Sequence, residues 1–229
     1  MFVNFLFKVF LFFIISNVVY SSDGINIYKA KIDIYDNLSL KNGADIYMKN
    51  CVGCHSLKYI RFNSIISDIG LNNEENYIKN NWFYSGNIND FVMSPLDINV
   101  SSNWFGVVPP DLSLVSRYRG IDWIYTYMKS FYKDDNRTWG VNNLIFPDVN
   151  MPHVLLGLQG VQLFNKSINN IDFCFGGKLS LAEYDKVVLD LVNFLAYVGE
   201  PVKKDRYNIG YYILSFIFVF SIFTYFLKK

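Results

Sequence analysis

The stretch Cys51-Val52-Gly53-Cys54-His55 decides how the rest of the chain is read. Two thiols three positions apart can each form a thioether with one of the two vinyl groups of a single haem. The histidine directly after the second thiol is then held under the iron and can supply an axial nitrogen. Two other uses of a Cys-x-x-Cys pair are weaker here. A redox dithiol wants a surrounding βαβ pattern, and none is visible. A structural zinc site wants a second ligand pair, and beyond the motif the chain offers only His153 and Cys174, far apart in sequence.

Histidine scarcity limits the rest of the ligation. The chain has two histidines, His55 and His153. With His55 proximal, the sixth ligand is His153, a methionine or nothing. Beyond Met1 the methionines are Met48, Met93, Met128 and Met151. Met48 lies too close before His55, and Met128 falls in a helical apolar stripe. Met151 stands in Phe146-Pro147-Asp148-Val149-Asn150-Met151-Pro152-His153, a proline-flanked loop that can present a thioether to iron. Thioether with imidazole favours reduced iron and raises the potential relative to two imidazoles. On spacing alone Met151 is favoured and His153 stays open.

The two ends of the chain are apolar in different ways. Residues 1–21 carry one lysine, Lys8, then a short apolar centre and small residues, which reads as a signal peptide cut after Ser21. A retained anchor is the alternative, but the uncharged run is short for a span. Residues 207–227 contain no charge and precede Lys228 and Lys229. As a helix they would extend about 31 Å, the thickness of a bilayer core. Tyr207, Tyr211 and Tyr212 at one end and Tyr225 at the other fit an aromatic belt. A buried core helix is the alternative, although few soluble domains bury a helix apolar on every face. Basic residues flank both ends of the span, so orientation rests on the signal peptide, which puts the body outside the cytoplasmic face.

The chain has 229 residues and a net charge of +1, so it has room for one medium domain and no basic field for nucleic acid. The expected organisation is a signal peptide at 1–21, a haem domain at 22–206 and a transmembrane anchor at 207–227. Within the domain, helices are predicted over 40–50, 121–132 and 181–198. Trp123, Ile124, Tyr127, Met128 and Phe131 supply the stripe of the second. Ser180 and Glu183 form a capping box before the third. The stretches 63–103, 134–150 and 157–178 are rich in Asn, Ser, Gly and Pro and show little strand signal. Loops of that length fit packing around a large cofactor. The fold class is therefore mainly α: a c-type cytochrome domain with long loops around one covalent haem, plus a single C-terminal transmembrane helix. The third cysteine, Cys174, sits among aromatics and reads as a buried inert thiol, with a disulfide to another chain as the alternative.

Taken in order, several further stretches resemble one family. They are Cys51-Val52-Gly53-Cys54-His55-Ser56-Leu57, Val108-Pro109-Pro110-Asp111-Leu112-Ser113, Asp122-Trp123-Ile124-Tyr125-Thr126-Tyr127, Phe146 through Leu155, Leu179-Ser180-Leu181-Ala182-Glu183-Tyr184-Asp185, and Leu191 through Pro201. The chain resembles cytochrome c1, the membrane-anchored haem subunit of the cytochrome bc1 complex, in its bacterial form. The resemblance implies one haem c bound through Cys51 and Cys54, with His55 and Met151 as axial ligands and His153 as a neighbour. It implies that Pro109 and Pro110 line the pocket, with a carbonyl orienting His55, and that Arg117 or Arg119 meets a haem propionate. Trp123 stands where the family often has tyrosine. Asn150 replaces a common glycine, and asparagine tolerates positive φ, so the turn there can survive. The implied role is electron transfer from the Rieske iron–sulfur protein to a cytochrome c, beside cytochrome b, with no substrate chemistry of the chain's own. The implied setting is a dimeric complex in the bacterial inner membrane, with the haem domain periplasmic. A free-standing membrane-tethered cytochrome c is the competing reading.

Overall fold

The computed structural model describes residues 27–71, 75–82, 87–165 and 170–228. The expected signal peptide lies outside the described residues.

Helix α1 spans Asn37–Asn50 and leads directly into the haem motif. Asp36 caps it, its carboxylate accepting from the Leu38 and Ser39 amides. Leu40, Ala44, Tyr47 and Met48 recur at helical spacing and are buried. Strand β1 (Leu57–Arg61) follows, then α2 (Phe62–Asp68), α3 (Glu75–Asn81) and β2 (Phe91–Val92), which pairs antiparallel with β1. Helix α4 (Ile98–Phe105) is capped by Asp97 and ends at Gly106 in the left-handed region. Short α5 (Val115–Tyr118) precedes α6 (Ile121–Lys129).

Helix α6 is shorter than its apolar stripe predicts. It stops at Ser130, whose hydroxyl donates back to the Thr126 carbonyl at 2.6 Å. Phe131 and Tyr132 then enter strand β3 (Phe131–Lys133), paired with β4 (Val141–Asn143). Aromatic residues suit a pleated, half-buried surface as well as a helix, and here the pairing partner decides. After α7 (Leu156–Gln159), strands β5 (Gly160–Asn165) and β6 (Asn170–Gly176) form a third antiparallel pair. The stretches expected as loops therefore hold short helices and strands.

The long helix α8 (Leu181–Gly199) carries the capping box of Ser180 and Glu183. It buries Tyr184, Val188, Leu191, Phe194 and Leu195 against α1 and α6. The α1–α8 contact is close because Gly43 lacks a side chain: a Cβ there would lie 2.0 Å from the Asp190 carbonyl oxygen. Polar groups are matched across the same seam, with Ser39 Oγ donating to Asp190 at 2.7 Å and Asn193 Nδ2 to Ser39 Oγ at 3.0 Å. Tyr184 Oη ties α8 to the Met128 carbonyl of α6 at 2.9 Å.

Helix α9 (Lys203–Leu227) begins four residues before the span expected at 207–227. Its 25 residues extend about 37 Å, more than a bilayer core needs. Its most apolar window has a mean hydropathy of 1.9 and is 0% buried. Among the described residues it is the one helix long and apolar enough to cross a membrane.

Candidate haem site

The motif occupies the turn where α1 ends. The Cys51 amide closes the last turn on the Tyr47 carbonyl at 2.8 Å, and the Cys54 and His55 amides both donate to the Cys51 carbonyl, at 3.0 and 2.9 Å. Tyr47, fully buried, donates its hydroxyl to the His55 carbonyl at 2.5 Å. Ser94 braces the other side, its hydroxyl donating to the Gly53 carbonyl and its amide to Ser56 Oγ, each at 2.9 Å.

The segment carrying Pro109 and Pro110 is pinned across this turn. The Leu112 amide donates to the Ser56 carbonyl at 2.9 Å, and Asp111 accepts from the Lys58 amide at 2.9 Å. The Pro110 carbonyl is thereby set 2.7 Å from His55 Nδ1. A carbonyl can only accept, so Nδ1 carries the proton and Nε2 is the nitrogen left with a lone pair for a metal. Burial pushes the His55 pKa down, with the Pro110 bond and Asp111 opposing, which keeps the ring neutral as a ligand must be.

Met151 comes to the same place. Cys51, Cys54, His55, Pro109 and Pro110 share one cleft with Asn150, Met151, Pro152 and Val154. Asn50, Phe105 and Val107 complete its walls, and the space, open mouth included, is about 510 Å³. Apart from Asn50, Asn150 and the groups that would hold a haem, the cleft is lined by apolar residues. Three observations fit that group: both thiols face one cleft, the histidine has its ring nitrogen oriented, and a thioether sulfur is present. Neither Cys51 nor Cys54 is in a disulfide. Burial pushes the Cys51 thiol up to about 12, with Cys54 adding to the rise, and burial raises Cys54 as well. Among the described residues no three His, Cys, Asp or Glu side chains converge as a tetrahedral zinc site would need.

The other candidates lie elsewhere. His153 does not line the cleft. Its ring stacks on Phe131 at 4.7 Å and its Nε2 faces Gln159 Oε1 at 2.7 Å, leaving a buried Nδ1 with no partner among the described residues. Burial holds its pKa near 4. Met48 and Met128 are core residues and Met93 is half-exposed on the surface. Arg117 and Arg119 are exposed and neither lines the cleft; the Arg119 guanidinium sits 4.8 Å from the Trp123 ring and 5.8 Å from that of Phe146. The positive φ in the ligand loop falls on Asp148 (61°), two residues before Asn150. Cys174 is half-buried, less than expected, with its thiol on the Gln159 carbonyl at 3.1 Å.

Sequence reasoning missed the residues that hold the Met151 loop. Buried Asn142 and Asn143 organise it: Asn142 Oδ1 accepts from the Asp148 amide at 2.9 Å, and Asn143 Oδ1 from the Ile145 and Phe146 amides at 3.1 and 3.2 Å. Asn143 Nδ2 reaches the Tyr127 carbonyl at 2.8 Å. Tyr127 Oη in turn donates to Met151 Sδ at 3.4 Å. Burial pushes the Tyr127 phenol up, which keeps it a donor. An asparagine pair inside an apolar-flanked run was the available signal.

A family model described as "Cytochrome C1 family" matches residues 27–229. The chain belongs to the cytochrome c1 family. Among similar proteins, a cytochrome c1 of Allochromatium vinosum is 43% identical over 219 residues, covering 91% of this chain and 89% of that one. A protein of Nitrosomonas europaea named ammonia monooxygenase gamma subunit is 40% identical over 210 residues, covering 91% and 88%. A cytochrome b/c1 of Bradyrhizobium diazoefficiens is 23% identical over 230 residues, covering 85% of this chain and 33% of that longer protein. As a cytochrome c1-family protein the chain binds haem c covalently, and Cys51 and Cys54 are the two cysteines placed for it.

Proposed function

We propose that this chain is the electron-relay subunit of a cytochrome bc1 complex, accepting single electrons from a Rieske iron–sulfur protein and passing them to a cytochrome c. The observation that carries the reading is the convergence of Cys51, Cys54, His55 and Met151 on one apolar cleft in a cytochrome c1-family chain that ends in a membrane-length helix. The haem supplies one-electron iron chemistry when bound. Cys51 and Cys54 would hold it through thioethers, His55 Nε2 and Met151 Sδ would ligate the iron, and the Pro110 carbonyl fixes the imidazole. Imidazole with thioether sets the potential high, as an acceptor placed after a high-potential donor requires. The largely apolar walls would limit water at a bound iron, which would favour the less charged reduced state. Arg117 or Arg119 would meet a haem propionate, as the resemblance implies.

In the same proposal, residues 1–21 are removed, 22–206 form the haem domain on the periplasmic side of a bacterial inner membrane, and 207–227 anchor it beside cytochrome b in a dimeric complex. No bond of a substrate is made or broken on this chain. Mild-detergent extraction of the membrane, followed by affinity isolation of the chain and counting of haem types, tests the reading. A b-type cytochrome and a Rieske protein are expected to co-purify. A haem protein that elutes alone would make it a free-standing tethered cytochrome instead.

A further inference from the structure

We infer that Tyr127 is a positioning and tuning residue for the iron: its hydroxyl donates to the sulfur of Met151 and sets how strongly that sulfur gives electron density to the metal. The inference rests on Met151 as the axial ligand. The contact is 3.4 Å between Tyr127 Oη and Met151 Sδ, an ordinary O–H···S distance. A thioether sulfur has two lone pairs. One serves the iron, and the second accepts from the phenol, so both can be satisfied together.

The phenol is held for that task. Its ring is stacked on Trp123 at 5.0 Å and 12° and meets Phe131 and Phe146 edge-on at 5.1 and 6.4 Å. Its own carbonyl is bonded by Asn143, the residue that also folds the ligand loop. The helix that carries the donor and the loop that carries the acceptor are therefore fixed to one another. A hydrogen bond to the sulfur draws density away from the iron. Ferric iron depends on that donation more than ferrous iron does, so the bond favours the reduced state and raises the potential.

The test is Tyr127→Phe in the full, membrane-bound protein, read by redox titration and by the methionine-to-iron optical band. The ring and its cage remain, so covalent haem, low-spin iron and the band are expected to persist. The oxidised-to-reduced ratio at fixed potential should rise about threefold to tenfold, the upper end corresponding to ~59 mV for one electron. Trp123→Phe keeps the hydroxyl while thinning the cage, and should leave the potential in place. Tyr127→Phe added to Met151→Leu should change the potential no further than Met151→Leu alone. An unchanged potential in Tyr127→Phe, an equal shift in Trp123→Phe, or loss of the band in Tyr127→Phe overturns the inference. Retention of the band in Met151→Leu would instead remove the ligand reading beneath it, so the two failures are distinct.

Discussion

Tyr47 donates to a main-chain oxygen of the haem-motif histidine, not to another side chain. That oxygen is buried, and the hydroxyl is what offsets its loss of water. Tyr47→Phe keeps the ring packed on Phe194, 5.7 Å away, but strands the carbonyl. An unsatisfied buried acceptor costs about 1–3 kcal/mol. The expected result is a lower urea midpoint with an unchanged slope and haem still covalently attached; a wild-type midpoint would show that the bond contributes nothing. At this scale the candidate site residues that the structure brings to one cleft were readable from sequence. Cys51, Cys54 and His55 announce themselves by spacing, and Met151 by standing in a loop where no core stripe explains it. Tyr127 was not readable in the same way. Its position in an amphipathic stripe fits a core tyrosine, and only the three-dimensional approach of a loop 24 residues away gives its hydroxyl a target. Asn142 and Asn143 were hidden for a similar reason, because asparagine-rich sequence reads as solvated loop until its amides are seen folding one.

Helix α6 shows how an element is tied to the rest of the chain by charge as well as by packing. Asp122, in its first turn, accepts from Lys29 Nζ at 2.7 Å and from the Ala30 amide at 2.8 Å, and so docks the extended stretch around Lys29 and Ala30. Burial pushes this carboxyl up, but the two hydrogen bonds outweigh burial and leave its pKa below the ordinary value. A depressed folded-state pKa gives stability that is present above the unfolded value, about 3.9, and is lost as the pH falls through the folded one. Asp122→Asn should therefore cost ~1 kcal/mol at neutral pH, with the gap to wild type narrowing below about pH 4. Thermal melts of both proteins from pH 7 downward check this, and a gap independent of pH would refute it. The element boundaries were only partly legible. Capping chemistry marked the start of α8 because Ser180 and Glu183 satisfy the helix amides by themselves. The end of α6 is set by Ser130 folding back on Thr126 and by β3 pairing with β4, and β5 and β6 form a hairpin inside a stretch rich in Asn and Gly, so helical periodicity overran the first and turn-rich composition hid the second.

On the scale of the whole molecule, the core and the anchor are separate. The buried cluster runs through α1, β1, α2, α6 and α8 and takes nothing from α9. The first turn of α9 is tied back by the Arg206–Glu200 ion pair at 2.6 Å and by Lys204 over the Tyr35 ring at 5.2 Å. Surface contacts of this kind are worth ~0–1 kcal/mol each. A chain ending at residue 202 is expected to mature with covalent haem, to stay in the soluble fraction and to melt close to the full-length domain. Aggregation or loss of haem on truncation would mean that the anchor supports the fold. The anchor itself was legible without any structure, since 21 uncharged residues have few other uses.

The half-buried Cys174 has an analytical consequence. Once Cys51 and Cys54 are consumed as thioethers, it is the last sulfhydryl on the chain. A colorimetric thiol titration of the purified protein in strong denaturant should then return one equivalent per chain for the mature product and three for chains that never received their cofactor. Intermediate values would report the fraction processed, independently of any optical spectrum.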